Sequence, residues 1–587
     1  MMVCLILVAF LSQKTFCKAL VNSLDPKVNH SSAGLGVDKV PVHKIYRRIG
    51  LILFFITFTM CIVQTSMGID KFFPLDKIKP GMKGYGCTVF SGTKIQKFGV
   101  QVIGSVNKSM GKDKLILVKL SGKLLEENGG LSAGMSGSPV YFHNRLAGAI
   151  SYGFENADSS LALVTPIEMM LEMRESNEQA FYLPSYHLRA VPVRTPIIIS
   201  GMKKRGFNLL SHSLENYGFR TVAGLDGGES SLEMGKNLIK PGSAISVMMV
   251  AGDYQVSALG TVTWINGKDF LAFGHSYNNK GKADYFAYQA NVLKTVQSSQ
   301  MAFKLGTPLK LIGRITEDRQ AGIFGKLEEI PAYIQVLLNI RDNERNRVKK
   351  STFYVQSNEQ TVRDLIVAGV TDAIDQTLDR VGPGTATVST EITTSSGNDK
   401  IVHQNLYYSK DISTACVKDL NDLLTLLVGN DFSSIALKTI SVNVDLRSEQ
   451  KTARIVKITS ETTKVKPGDM LRLSVLLHRF RGDDFTVPLE VKVPSVAKPG
   501  KLNYIIFGGS KEGADGQEED KKESFKMDYK NVSSFNDLLK NFLARPKNNE
   551  LAVDYDPKPD EAVNQLLLKS ATQYYLFGEA QFAVDVQ

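Results

Sequence analysis

Gly129 to Phe154 reads GGLSAGMSGSPVYFHNRLAGAISYGF, and the reading of this stretch decides the fold. A serine that attacks a carbonyl must project from a tight turn, with backbone N–H groups aimed at the oxyanion that forms. In Gly134-Met135-Ser136-Gly137-Ser138-Pro139 the two glycines let the chain take such a turn without a Cβ clash. Ser136 is therefore the candidate nucleophile, and the amides of Gly134 and Ser136 form the candidate oxyanion hole. Pro139 ends the loop, and the apolar run after it supplies a strand, a short turn and a second strand to hold it. Taken without its flanks, the same hexapeptide is equally a Gly/Ser-rich hairpin with no chemistry.

Working outward, Phe73 to Met173 is a series of short apolar runs broken by Gly, such as FGVQVIGSV (98–106) and KLILVKL (114–120). They are rich in Val, Ile and Tyr, as strands require. PIEMMLEMR (166–174) reads as a short helix. A second strand-rich block, SAISVMMVAGDYQVSALGTVTWINGKDFLAFGH (243–275), carries Asn266-Gly267 as a hairpin signal and continues through LIGRITEDRQAGIFGKL (311–327). The segment SNEQTVRDLIVAGVTDAI (357–374) is helix-like, and an amphipathic helix is expected around Ser534 to Ala544.

A serine near neutral pH needs a base. The candidates after residue 70 are His143, His187, His212, His275, His403 and His478. His275 ends an apolar strand in DFLAFGHSYNN, with Gly274 before it, the placement a catalytic imidazole needs. His143 sits a few residues past Ser136 on the outgoing hairpin and reads as a surface turn residue.

The pattern G-x-S-G-x-P followed by a strand, a turn and LAGAISYG resembles the nucleophile region of trypsin-like peptidases. More closely, GGLSAGMSGSPVYFHNRLAGAISYGF resembles the nucleophile segment of the SpoIVB peptidase family, serine peptidases of sporulation signalling. LAFGHSYNNKGKAD and GRITEDRQAGIFGKL resemble that family's histidine loop and the GIFG segment after it, so the resemblance spans Met82 to Leu327. It implies a two-barrel, trypsin-like serine peptidase. Two departures stand out. The family places the histidine segment first, whereas Ser136 precedes His275 here, so the resemblance implies a circularly permuted relative. The position of the family's acid falls on Ser121 in KLSGKLL. A serine accepts the imidazole N–H but does not stabilise imidazolium, and losing the acid costs about four orders of magnitude in a well-studied triad. Asp284 is the substitute expected from the histidine loop, and Asp269 a weaker one.

The expected architecture is thus mainly β. It runs through a serine barrel (70–175), a connector (176–240) and a histidine barrel (241–330) to a mixed α/β accessory region (331–450). A β-sandwich-like region (451–509), a charged linker (510–523) and a C-terminal region (524–587) complete the chain. The length of 587 residues asks for several domains. The abundance of Gly (48) and near absence of Trp (1) suit a turn-rich β protein.

Lys+Arg 70 against Asp+Glu 59 gives a net charge of +11, spread thinly over the chain. Basic runs such as RNRVKK (345–350) lack interleaved aromatics, which argues against nucleic acid as a partner. An anionic membrane surface or cell wall fits the excess better. The five Cys have no metal-ligand spacing, and no metal or organic cofactor is expected. Cys87 and Cys416 read equally as one disulfide or as two buried thiols. HKIYRRIGLILFFITFTMCIVQTSMG (43–68) has the basic, apolar and small-residue order of an export signal, the alternative being a membrane anchor at 49–67. Residues 1–42 before it suggest a later translation start. The expected function is an exported serine peptidase, secreted, periplasmic or anchored, acting on protein or peptide, itself included. The rival is a non-catalytic envelope scaffold.

Overall fold

Short apolar strands, some alternating like Ile95–Asn107 and some buried on both faces like Ala244–Gly252, build two closed barrels in succession. The computed structural model describes residues 71–587 except 108–113, 173–180, 184–187, 225–229, 237, 299–300, 358, 396–399, 510–526, 528, 530–531 and 557–569. The segment read as an export signal and the charged linker lie outside the described residues.

The first barrel comprises β1 (Lys83–Val89), β2 (Ile95–Asn107), β3 (Lys114–Ser121), β5 (Pro139–Phe142), β6 (Arg145–Phe154) and β7 (Leu161–Pro166). A short helix α1 (Lys123–Glu127) and the two-residue β4 (Ser132–Ala133) lie between β3 and β5. The strand order is β5-β1-β2-β3-β7-β6, and β6 pairs back onto β5 to close the ring. Val100 and Val102, Ile116 and Val118, Val140 and Phe142 fill it at every second position. Gly86 is required here, because a Cβ on it would lie 2.2 Å from the Phe98 ring that crosses it. The expected helix after β7 is α2 (Ile167–Glu172).

The connector is shared between the two barrels. Its β8 (Phe181–Leu183) and β9 (Leu188–Pro192) extend the first sheet beyond β6. Its β10 (Ile197–Ser200) joins the second sheet through β13, and the helix α3 (Lys204–Glu215) leads to β11 (Thr221–Ala223).

The second barrel is formed by β12 (Ala244–Gly252), β13 (Gln255–Asn266), β14 (Asp269–Ala272), β15 (Gly281–Val296), β16 (Ala302–Arg319) and β17 (Gly322–Leu327). Its order β13-β14-β17-β16-β15-β12 closes through the β12–β13 pair. The Asn266-Gly267 hairpin joins β13 to β14, with Gly267 at φ +59°. Two antiparallel barrels, the one bearing Ser136 preceding the one bearing His275, make this a mainly β protein with a trypsin-like barrel core.

The accessory region is continuous with the second barrel. It comprises β18 (Tyr333–Asp342), β19 (Arg347–Gln356), α4 (Glu359–Leu378), β20 (Gly384–Thr394), β21 (Lys400–Ser409), α5 (Ile412–Cys416), α6 (Lys418–Gly429) and β22 (Leu437–Arg447). Because β19 pairs with β12, the sheet runs on as β12-β19-β18-β22-β20-β21. Leu365, Ile366 and Ile374 of α4 and Leu423 and Leu427 of α6 share one core with Val336, Leu338 and Val444 of that sheet.

The last strands are β23 (Thr452–Ser460), β24 (Lys464–Val465), β25 (Met470–Arg479), β26 (Asp484–Lys492) and β27 (Gly500–Gly508). After the helix α7 (Phe535–Leu543) come β28 (Glu550–Asp556), β29 (Ser570–Ala571), β30 (Tyr575–Phe577) and β31 (Glu579–Val586). Sheets β26-β25-β23-β30 and β24-β31-β27-β28-β29 face each other over Leu473, Val475, Tyr504, Ile506 and Val553. The strands after residue 550 complete the sandwich that 452–508 begins. They do so because β27 has one edge for β31 and the other for β28. The α7 helix, capped by Ser534 accepting from the Asp537 amide at 3.2 Å, buries Leu538 and Phe542 in the core of the accessory region. Cys87 and Cys416 are separate buried thiols.

Candidate active site

The serine turn follows β4 and is held from several sides by its own backbone. Gly134 and Gly137 sit at φ +95° and +87°, a region that residues with a Cβ enter at a cost. The Met135 amide donates to Ser132 O at 2.9 Å, the Ser138 amide to Met135 O at 2.9 Å and the Gly137 amide to Ile150 O at 2.8 Å. Among the described residues the Ser136 amide donates to no neighbour, which leaves it available to an oxyanion.

The second barrel grips the same turn. Thr261 of β13 donates its amide to Ser136 O at 2.8 Å and its hydroxyl to Gly134 O at 2.9 Å. Thr263 Oγ1 donates to Gly137 O at 2.8 Å. From β16, Lys304 Nζ donates to Thr88 Oγ1 at 2.7 Å and to Gly134 O at 3.3 Å. Lys304 is 1% exposed, and burial brings its amine down to about 7. The Gly134 carbonyl thus takes two donors from the second barrel, which fixes the first peptide of the turn.

The histidine turn is held reciprocally by the first barrel. It follows β14, with Phe273 at φ +73° and Gly274 at φ +69°. A left-handed Phe is backbone strain maintained by its surroundings. Thr165 Oγ1 of β7 donates to Gly274 O at 2.7 Å, and a Cβ on Gly274 would lie 3.0 Å from Ile150 O. The two turns also meet directly. A Cβ on Gly137 would lie 2.0 Å from Thr261 O and 2.4 Å from Phe273 N. The serine and histidine turns are therefore packed backbone to backbone where the barrels join.

His275 is 1% exposed, and its Nδ1 lies 2.7 Å from Ser276 O. A carbonyl oxygen accepts and does not donate, so Nδ1 carries the proton, and the neutral ring has its lone pair on Nε2. That is the tautomer a general base needs. Ser136 is 1% exposed, and its Oγ makes no hydrogen bond among the described residues. The Ser136–His275 bond of a poised pair is thus not made in this structure. Ser132 Oγ and Ser138 Oγ are likewise buried and unbonded.

The two expected orienting groups have contacts of their own with other residues. Ser121 is exposed at the end of β3, opposite Gly99 of β2. Asp284 on β15 accepts from Arg314 Nη1 at 3.1 Å and from the Ala332 amide at 2.7 Å. Asp269 pairs with Lys326 Nζ at 2.6 Å. His275 Nδ1 is taken instead by the carbonyl of the next residue.

The residue that sequence reasoning missed is Asp318, 0% exposed near the end of β16. Its Oδ1 accepts from the Tyr277 amide at 2.7 Å, and its Oδ2 from the amides of Asn278 at 2.7 Å and Lys280 at 3.4 Å. Burial pushes this carboxyl up, while the amides and the Arg194 charge oppose that rise. Arg194 Nη2 also donates to Ser276 Oγ at 3.0 Å. The available signal was an acid inside an apolar strand, since β16 reads LIGRITED before its turn.

The remaining histidines stand apart from this arrangement. His143 occupies the β5–β6 turn at φ +49° and stacks on Phe73. His212 is on α3, and His403 and His478 pair with Asp419 and Asp484 at 2.7 and 2.6 Å. His187 lies outside the described residues.

No curated protein and no solved structure matches the chain. The segment that carries the first barrel and Ser136, residues 75–171, matches the family model described as SpoIVB peptidase S55.

Proposed function

We propose that this chain is an exported serine peptidase of the SpoIVB type, a permuted relative that cleaves peptide bonds through an acyl-enzyme on Ser136. The observation that carries this reading is the interlock of the serine and histidine turns at the barrel junction. His275 Nε2 takes the proton of Ser136 Oγ as Oγ bonds to the peptide carbonyl carbon. The oxyanion rests on the Ser136 amide, with the Gly134 amide as its expected partner. Imidazolium then protonates the leaving amine, and the carbon–nitrogen bond breaks. Water, deprotonated by His275, releases the acyl group and restores Ser136. No step requires a metal or an organic cofactor. Export is read from the 43–68 segment, the family match supports protein substrates, and cleavage of the chain itself is part of the proposal.

A second reading has support in one observation: Ser136 and His275 are each 1% exposed, so a substrate reaches them only after the site opens. In that reading the barrels serve as an envelope scaffold. Incubating the purified protein with a dye-labelled unfolded polypeptide separates the two. The peptidase reading predicts fragments, or a defined self-cleavage product, absent from Ser136→Ala and His275→Ala. Equal behaviour of all three proteins favours the scaffold.

A further inference from the structure

A buried carboxylate lies one peptide group away from the His275 ring. His275 Nδ1 donates to Ser276 O at 2.7 Å, and the Tyr277 amide donates to Asp318 Oδ1 at 2.7 Å. Ser276 O and Tyr277 N belong to the same peptide unit. The chain of contacts is therefore Nδ1–H to C=O, through the amide resonance, and N–H to carboxylate.

We propose that Asp318 is the acid of this site, acting on His275 through the Ser276–Tyr277 peptide. The proposal rests on the reading of His275 as the base. A carboxylate that accepts from the amide N–H draws the peptide toward its charge-separated form, which places more negative charge on the carbonyl oxygen. That oxygen then holds the Nδ1 proton more strongly and stabilises the imidazolium formed when Ser136 gives up its proton. Hydrogen bonds of this kind strengthen one another along a chain, and the low dielectric around a buried group preserves the effect.

Three features support an ionised Asp318. Both of its oxygens accept short amide bonds, Oδ1 from Tyr277 and Oδ2 from Asn278, and donors aimed at a carboxylate favour its charged form. The positive charge of Arg194 faces it from the segment after β9. Its third donor, the Lys280 amide, completes a loop wrapped around one carboxylate. Other titratable groups near this loop include the phenols of Tyr277 and Tyr285, whose rings pack at 5.2 Å, the Lys280 amine, whose ionised form burial disfavours, and the Arg319–Glu317 pair at 2.9 Å on either side of Asp318. Asp318 is a positioning residue, since it touches neither Ser136 nor the reacting atoms. It also answers why Ser121 stands where the related peptidases have their acid: the carboxylate comes from the second barrel, on the far side of a peptide.

The test is Asp318→Asn, which retains one acceptor and removes the charge. The His275 ring protons, followed by NMR in selectively labelled full-length protein, are expected to titrate at lower pH by about one unit, a tenfold loss of proton affinity. The acid limb of the turnover profile should move with them, with kcat falling roughly 10–100-fold and KM staying within about twofold. A purely structural Asp318 would change stability and leave both titrations in place, and that result overturns the proposal. If the variant does not fold, the unmodified protein decides. Its Tyr277 amide proton should shift with the same midpoint as the His275 ring, and an amide that does not follow that midpoint overturns the relay. An inactive Ser136 with a relay intact by NMR would count against the peptidase reading alone.

Discussion

Replacing Gly137 by Ala tests whether the two turns act as one unit. Gly137 is at φ +87°, where a Cβ costs about 1–2 kcal/mol. The added atom would also stand 2.0 Å from Thr261 O and 2.4 Å from Phe273 N, both backbone atoms of the second barrel. Backbone does not rotate away as a side chain would, so one turn must move, at a further cost of about 1–3 kcal/mol. The sum, roughly 2–5 kcal/mol, is a large share of the 5–15 kcal/mol that folded domains have in reserve. Moving either turn by even 1 Å disturbs attack geometry by about two orders of magnitude. The assay is urea unfolding, followed in parallel by the rate at which a fluorophosphonate modifies Ser136. The expected result is a lower midpoint together with a labelling rate reduced at least 100-fold. A variant that unfolds and reacts like the parent would refute the interlock.

Three further outcomes follow from the same geometry. Lys304, buried with its amine lowered to about 7, binds a proton more weakly folded than unfolded. Its contribution to stability is therefore greatest above the unfolded value near 10.5 and is lost as pH falls toward 7, at roughly 1.4 kcal/mol per pH unit. Lys304→Met should remove that slope, read as unfolding midpoints between pH 7 and 10. Asp372, buried under α3, accepts from the Lys203 amide at 2.9 Å, and burial raises its carboxyl to about 6. Its folded form holds the proton more tightly than the unfolded chain does, so it adds stability below about pH 4 that disappears as pH rises through 6. Asp372→Asn should flatten that decline by about 1–3 kcal/mol, measured by denaturant titration at pH 4.5 and 7. Ser121→Ala, at an exposed position opposite Gly99 of β2, should leave fluorophosphonate labelling unchanged; a tenfold drop would return Ser121 to the site.

Much of this was legible in the sequence because it is local. Period-2 runs, the Asn266-Gly267 turn and the Gly-flanked GMSGSP carry their own backbone requirements, and they gave the strands of both barrels and the serine turn. The sandwich was only half legible. Its first five strands are consecutive, but β28 to β31 return after about forty residues, and which sheet edge they join is decided by the open sides of β27 and β23. The histidine's partner was the least legible. A search for an acid looks for a side chain, whereas the group on Nδ1 is a main-chain carbonyl, which every residue possesses. The carboxylate behind it is 43 residues away in the chain, brought to the loop by the β15–β16 hairpin. Lys304 was hidden for a related reason: from sequence a lysine reads as exposed, and only closure of the second barrel buries it against Gly134.

The central claim is that Ser136 is a nucleophile activated by His275. Mass spectrometry of the protein after fluorophosphonate treatment tests it most directly. The account predicts one adduct, located on Ser136, absent from Ser136→Ala and slowed at least 100-fold in His275→Ala. An unmodified protein, or an adduct formed at the same rate without His275, would contradict it.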